Sequence, residues 1–183
     1  MTYYGSKELA ASFRTVRKNT IQIAEEISEE HYGYRAAPGV RSVAEILVHI
    51  AVAPWLQTEL HIHQHLSTLV GFDFFGLMAK MHAEEAVPRS KAQILELLRE
   101  EGEKYASILE GASEELLSER VQYPEGMAPP SKSRFEMMIS PKEHEMHHRG
   151  QLMLIERILG ITPHLTRHMQ ERIAQMKAAE AVR

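Results

Sequence analysis

Three histidines stand within five positions in the stretch HEMHHRGQL, residues 144–152. Imidazole is the side chain best suited to hold a transition ion near neutral pH. On a helix each residue turns about 100°, so His144 and His148 lie within roughly 40° of each other, one turn apart, and can share one ion. Met137, Pro141, Leu152, Ile155 and Leu159 fall within roughly 40° of His148, which places both imidazoles in the middle of an apolar stripe. His147 is turned by about 100° from His148 and sits on the flank.

Two histidines from one helix do not close a stable site. The best third ligand is His49 in SVAEILVHI, where Val52, Ala53, Leu56 and Leu60 lie within roughly 60° of it and small Ala53 leaves room beside the ring. Three inward histidines from two helices would bind a divalent transition ion and leave a coordination position for water or substrate. On these residues alone two alternatives stay open. The trio can be core histidines satisfied by hydrogen bonds. HIHQH, residues 61–65, also offers His61 and His65 at helical spacing. On a regular helix these two are turned roughly 120° and 160° from His49, and His63 lies about 21 Å further along, so solvated surface histidines are expected there. His82, His164 and His168 receive the same reading.

The positioning elements follow from apolar periodicity. Leu9, Phe13, Val16, Thr20, Ile23 and Ile27 predict a first helix. Ser42 with Glu45 forms a capping box that opens a second helix, Val43 to about Leu66, bent at Pro54. Residues 69–89 form a long aromatic connection that predicts a short helix or a site-covering loop. Ser90 with Gln93 caps a third helix that ends at Gly111, and a proline- and glycine-rich loop leads to a fourth that starts near Ser133 and stops at Gly160. A polar final helix, about 163–180, follows. No alternation is long enough to build a sheet, so the fold class is all-α, a four-helix bundle over residues 1–160 with residues 161–183 as a helical extension of the same domain.

Around the histidines, Glu45 lies one turn before His49 and is a candidate catalytic base or imidazole-orienting group; equally, it is the third residue of the capping box. Gln151 could support the ligands, Arg149 suits a cap, ion pair or dimer contact, and Gly150 permits close packing. Trp55 and the FDFF aromatics could wall a pocket. The formal charge of -4 and pI near 6.3 argue against a phosphate-backbone binder. No run of about 18 apolar residues suggests a membrane span. The chain has no cysteine, which fits a cytoplasmic protein and requires that any reactive thiol come from outside.

SVAEILVHI and HEMHHRGQL resemble the two signature segments of the DinB/YfiT-like metalloprotein family over roughly residues 5–160. The resemblance implies an antiparallel-type four-helix bundle, often a homodimer, with a long second-to-third connection and three histidines holding zinc or nickel. By match of position these are His49, His144 and His148. Pro141 is a departure from the family pattern. Members of the wider group resemble thiol transferases that use bacillithiol or mycothiol, and a glutathione-type thiol is of the same class. The expected activity is therefore transfer of a small-molecule thiol to an electrophile, the ion lowering the thiol pKa. Activation of water for hydrolysis, or a metal-binding stress-response dimer without turnover, are the alternatives. Bound imidazoles must be neutral, so metal is expected to be lost below about pH 6.5.

Overall fold

In a computed structural model, which describes residues 4–181, the chain is built on four long or broken helices. Helix α1 spans Ser6–Glu26, α2 Val43–Val52, α5 Lys91–Gly111 and α8 Ser140–Ile158. Shorter helices connect them: α3 Trp55–Thr58, α4 Phe74–Glu85, α6 Glu114–Ser118 and α7 Arg134–Met138, with α9 His164–Ala181 at the end. Among the described residues no helix is long and apolar enough to cross a membrane.

The helices begin where side chains can satisfy their first free N–H groups. Ser42, Ser90 and Ser133 each accept a hydrogen bond from the third helical residue, and the side chains of Glu45, Gln93 and Glu136 each accept one from the backbone N–H of the cap. Apolar faces then pack into two main cores. One gathers Ile23, Leu47, Ile50, Ile94, Leu98 and Leu152 beside the histidines. The other joins Phe13, Tyr105, Leu109 and Met138 toward the opposite end.

The second helix breaks earlier than the periodicity suggests. α2 stops at Val52 before Pro54, α3 resumes, and Glu59–His63 forms a wider π turn. The fourth helix is divided between α7 and α8 at Ile139, just before Pro141. The expectation of no sheet is corrected by a small antiparallel hairpin that pairs β1, Arg120–Gln122, with β2, Ser131–Ser133. Strands of three residues are too short to show alternation in a sequence.

A buried ion pair crosses the bundle. Arg17 on α1 and Glu145 on α8 are 4% and 1% exposed. Arg17 Nε donates to both Glu145 oxygens at 3.0 Å. Its Nη1 donates to the Leu98 carbonyl on α5 at 2.8 Å, and its Nη2 to the Ile50 carbonyl on α2 at 3.2 Å. Ile50 can accept because its usual helical donor, four residues on, is Pro54, which has no N–H. Space on α5 comes from Gly102, where a Cβ would stand 2.8 Å from Arg17 Cγ.

Arg17→Met should therefore destabilise the protein by about 3–5 kcal/mol, because it leaves the Glu145 carboxylate buried and unpaired. Arg17→Met with Glu145→Leu should recover much of that loss. Urea unfolding of the two single variants and the double variant measures this; simple addition of the single effects would show that the two side chains do not act as a pair.

Candidate metal centre

His49 comes from the last turn of α2 and His144 and His148 from successive turns of α8. The structure brings these three predicted residues together: His49 Nε2 and His148 Nε2 each lie 3.1 Å from His144 Nε2. One ligand atom from each falls within 4.8 Å of the others, the single such group of three among the described residues. His49 and His148 are buried and His144 is half-buried.

The outer ring nitrogens decide what the inner ones present. Glu85, the last residue of α4, accepts a hydrogen bond from His49 Nδ1 at 2.7 Å, and Gln151 Oε1 accepts one from His148 Nδ1 at 2.8 Å. A carboxylate can only accept, and the amide oxygen likewise, so both rings carry their proton on Nδ1 and aim a lone pair from Nε2. His144 Nε2 can supply at most one proton for two such contacts. A cation at this point removes the conflict. Ion–nitrogen bonds of about 2.0–2.1 Å place nitrogens roughly 3.1–3.4 Å apart, which the 3.1 Å spacing fits.

Burial keeps the rings neutral. It is the leading cause that lowers all three pKa values, with the Arg41 charge a further cause, and His144 is pushed down to about 4. Hydrogen bonding to Glu85 and Gln151 opposes the shift at His49 and His148 respectively. Burial works to raise the Glu85 carboxyl, but its bonds to Arg41 and His49 hold it below the usual range.

The triad meets two cavities. A cleft of about 590 Å³ is bordered by Arg41, Glu45, His82, Glu85, His148 and Gln151. A smaller cavity of about 250 Å³ reaches His49 and His144 between Ala53, Leu56, Met78 and Met81. A larger concavity of about 750 Å³ lies between α1 and α5 and contains no imidazole, so it has no part in this chemistry.

Glu85 was not found from the sequence. It stands 36 positions from His49, on a helix within the irregular connection. Glu45 lies on the cleft wall but does not reach His49. Its oxygens engage Arg35 at 2.5 and 2.6 Å and the Ser42 backbone at 2.8 Å, so the imidazole-orienting function belongs to Glu85. The surface reading of His61 is corrected: it is 2% exposed, accepts from Arg134 Nη1 and donates to Gln57 Oε1, both at 2.9 Å. The break at Pro54 and the π turn change its phase from that of a regular helix. Its burial, with the nearby Arg134 charge, lowers its pKa to about 4. His164 is also buried, within 3.3 Å of Asn19 Oδ1. Trp55 donates to Glu101 rather than walling the cleft, and Phe75 is 84% exposed.

The sequence model of the DinB family matches residues 1–178. YjoA of Bacillus subtilis (strain 168) is 25% identical over 160 residues, which cover 86% of this chain and 92% of YjoA. The crystal structure of YjoA gives a TM-score of 0.62 at 23% identity, covering 85% of this chain and 94% of that one. YfiT from Bacillus subtilis, described as a probable metal-dependent hydrolase with an unusual four-helix bundle topology, gives 0.66 at 12% identity, covering 88% and 91%. At these identities the structural likeness establishes the shared fold.

Glu85→Gln should weaken zinc affinity about 10–100-fold, since it loosens the ring that presents a ligand nitrogen. Glu45→Gln keeps the cap and should leave affinity unchanged; competition titration with a chromogenic chelator measures both, and equal effects would remove Glu85 from its assigned function. The depressed histidine values also fix a pH dependence. Below about 6.5 the unfolded chain takes up protons that the folded triad resists, His144 until about pH 4. The metal-free protein should therefore lose stability as pH falls through that interval, as read by urea midpoints; a shallower slope in a His49→Ala, His144→Ala background would confirm the source, the remainder coming from buried His61, His148 and His164.

Proposed function

The chain belongs to the DinB family, and on that footing we propose that it is a metal-dependent enzyme that activates a low-molecular-weight thiol for transfer to an electrophile. The observation that carries the reading is the convergence of the three Nε2 atoms of His49, His144 and His148. A divalent ion such as zinc or nickel, when held there, would supply Lewis acidity that lowers the pKa of a small nucleophile at an accessible position.

The chain's own residues supply orientation and exclusion of water. Glu85 and Gln151 fix two of the rings, while Met78, Met81 and Leu56 give the cavity beside them an apolar lining. Neither wall carboxylate is free to act as a base. Glu45 is engaged by Arg35 and Ser42, and Glu85 by Arg41 and His49. A thiol suits this setting because its own pKa, about 8.5, needs only a modest reduction to give a thiolate near neutrality. With no cysteine in the chain, the thiol enters as cosubstrate.

Hydrolysis is the second reading, favoured by the fold likeness to YfiT. A three-histidine ion can also acidify water to a pKa of about 7 without a carboxylate base.

Protein purified without a histidine tag should contain near-stoichiometric zinc or nickel by mass spectrometry, and His49→Ala should lose it. The cobalt-substituted protein should develop sulfur-to-metal charge-transfer absorption with glutathione or bacillithiol. Wild type without metal, or a variant that keeps it, contradicts the metal reading. Absence of the thiol band together with turnover of ester or amide substrates moves the assignment to hydrolysis.

A further inference from the structure

Arg41 stands on the cleft wall with most of its guanidinium uncommitted. Its Nε donates to Glu85 Oε2 at 2.9 Å, and the other Glu85 oxygen accepts from His49 Nδ1. Among the described residues no acceptor meets Arg41 Nη1 or Nη2. The side chain is one-third exposed and borders the same cleft as His148. Glu85 thus anchors the guanidinium at one edge and leaves its outer donors available to a planar oxyanion, the geometry that arginine recognises best.

The surroundings narrow the class of ligand. Glu45, the other carboxylate on this wall, is already matched by Arg35, so it does not compete for Arg41. Ile46, Leu154 and Ile155 complete the cleft, and Leu154 is 58% exposed although its neighbours are apolar. The cleft therefore offers two charged donors on Arg41 and polar groups on His82, His148 and Gln151, while Ile46, Leu154 and Ile155 offer hydrocarbon. A single guanidinium already sharing its charge with Glu85 matches a monoanion better than a phosphate dianion, which is usually met by several cationic groups.

We propose that the cleft binds a small organic acid, its carboxylate on Arg41 Nη1 and Nη2 and its hydrocarbon body against Ile46, Leu154 and Ile155. This deepens the metal-dependent reading, on which it rests only for what happens to the bound molecule at the triad. Arg41 is then a specificity-determining residue, which selects acids over amides and amines of the same length.

The test is calorimetric binding of hexanoate, hexanamide and hexylamine to chelator-treated full-length protein, with metal content measured on the untreated sample. Hexanoate should bind saturably, and hexanamide and hexylamine about 10-fold or more weakly, the loss expected for a charge-assisted hydrogen bond. Arg41→Gln should reduce hexanoate binding by the same factor. Leu154→Trp, which narrows the apolar wall and leaves Arg41 itself unchanged, should also reduce it, and serves if Arg41→Gln does not fold. Equal binding of hexanoate and hexanamide, unchanged binding in either folded variant, or no saturable hexanoate binding overturns the proposal. If hexanoate binds only the metal-loaded protein and Arg41→Gln retains that binding, the acid reads the ion rather than Arg41; this inference then fails while the metal reading stands. Arg41-dependent binding in a protein that never contains metal upholds this inference while the metal reading fails.

Discussion

The guanidinium of Arg17 is the contact on which the arrangement of the bundle depends. From α1 it reaches α8 through Glu145, α5 through the Leu98 carbonyl and α2 through the Ile50 carbonyl. Its net contribution to stability is modest, because removing two charges from water offsets most of their attraction. The consequence lies in register. A buried charge accepts few alternative partners, so sliding any of these helices by one residue would leave it unsatisfied. Ile50 follows His49 and Glu145 follows His144, so the contact that aligns the helices also aligns the imidazoles at their inner ends.

Around that frame, each further layer removes freedom from the site. Glu85 and Gln151 choose the tautomers of His49 and His148, and burial keeps the rings neutral. His144 differs: its Nδ1 is buried without a partner, so this ring is held by packing and by the nitrogens that converge on it. Three lone-pair donors with too few protons between them form a site with a built-in preference for a cation. The three imidazoles are thus brought together by folding, and the cost of assembling them is met before any ion arrives.

Much of this was legible in the sequence because it depends on regular helices. His144 and His148 follow from one helical turn, His49 from the apolar stripe around it, two helix starts from serine caps at positions 42 and 90, and a third from the proline- and glycine-rich loop that ends near Ser133. What was missed depends on contacts between distant segments. Glu85 and Arg41 reach the site only when α4 folds against α2, and α4 carries too weak an apolar pattern to announce its docking. His61 was misplaced because Pro54 and the π turn interrupt the phase by which its rotation was reckoned. The signal for Arg17 was present: a charged residue falls inside the stripe of Phe13, Val16 and Thr20, where only a buried partner could hold it.

The most direct test of a preassembled, cation-seeking triad is long-range proton–nitrogen NMR of the metal-free protein, labelled at histidine nitrogen and titrated with zinc at neutral pH. His49 and His148 should show protons on Nδ1 and bare Nε2 atoms before any zinc is added, and one equivalent should shift all three Nε2 resonances together while leaving those of His61 and His164 in place. Protonated Nε2 on both His49 and His148, or a zinc response centred on other histidines, would contradict the account.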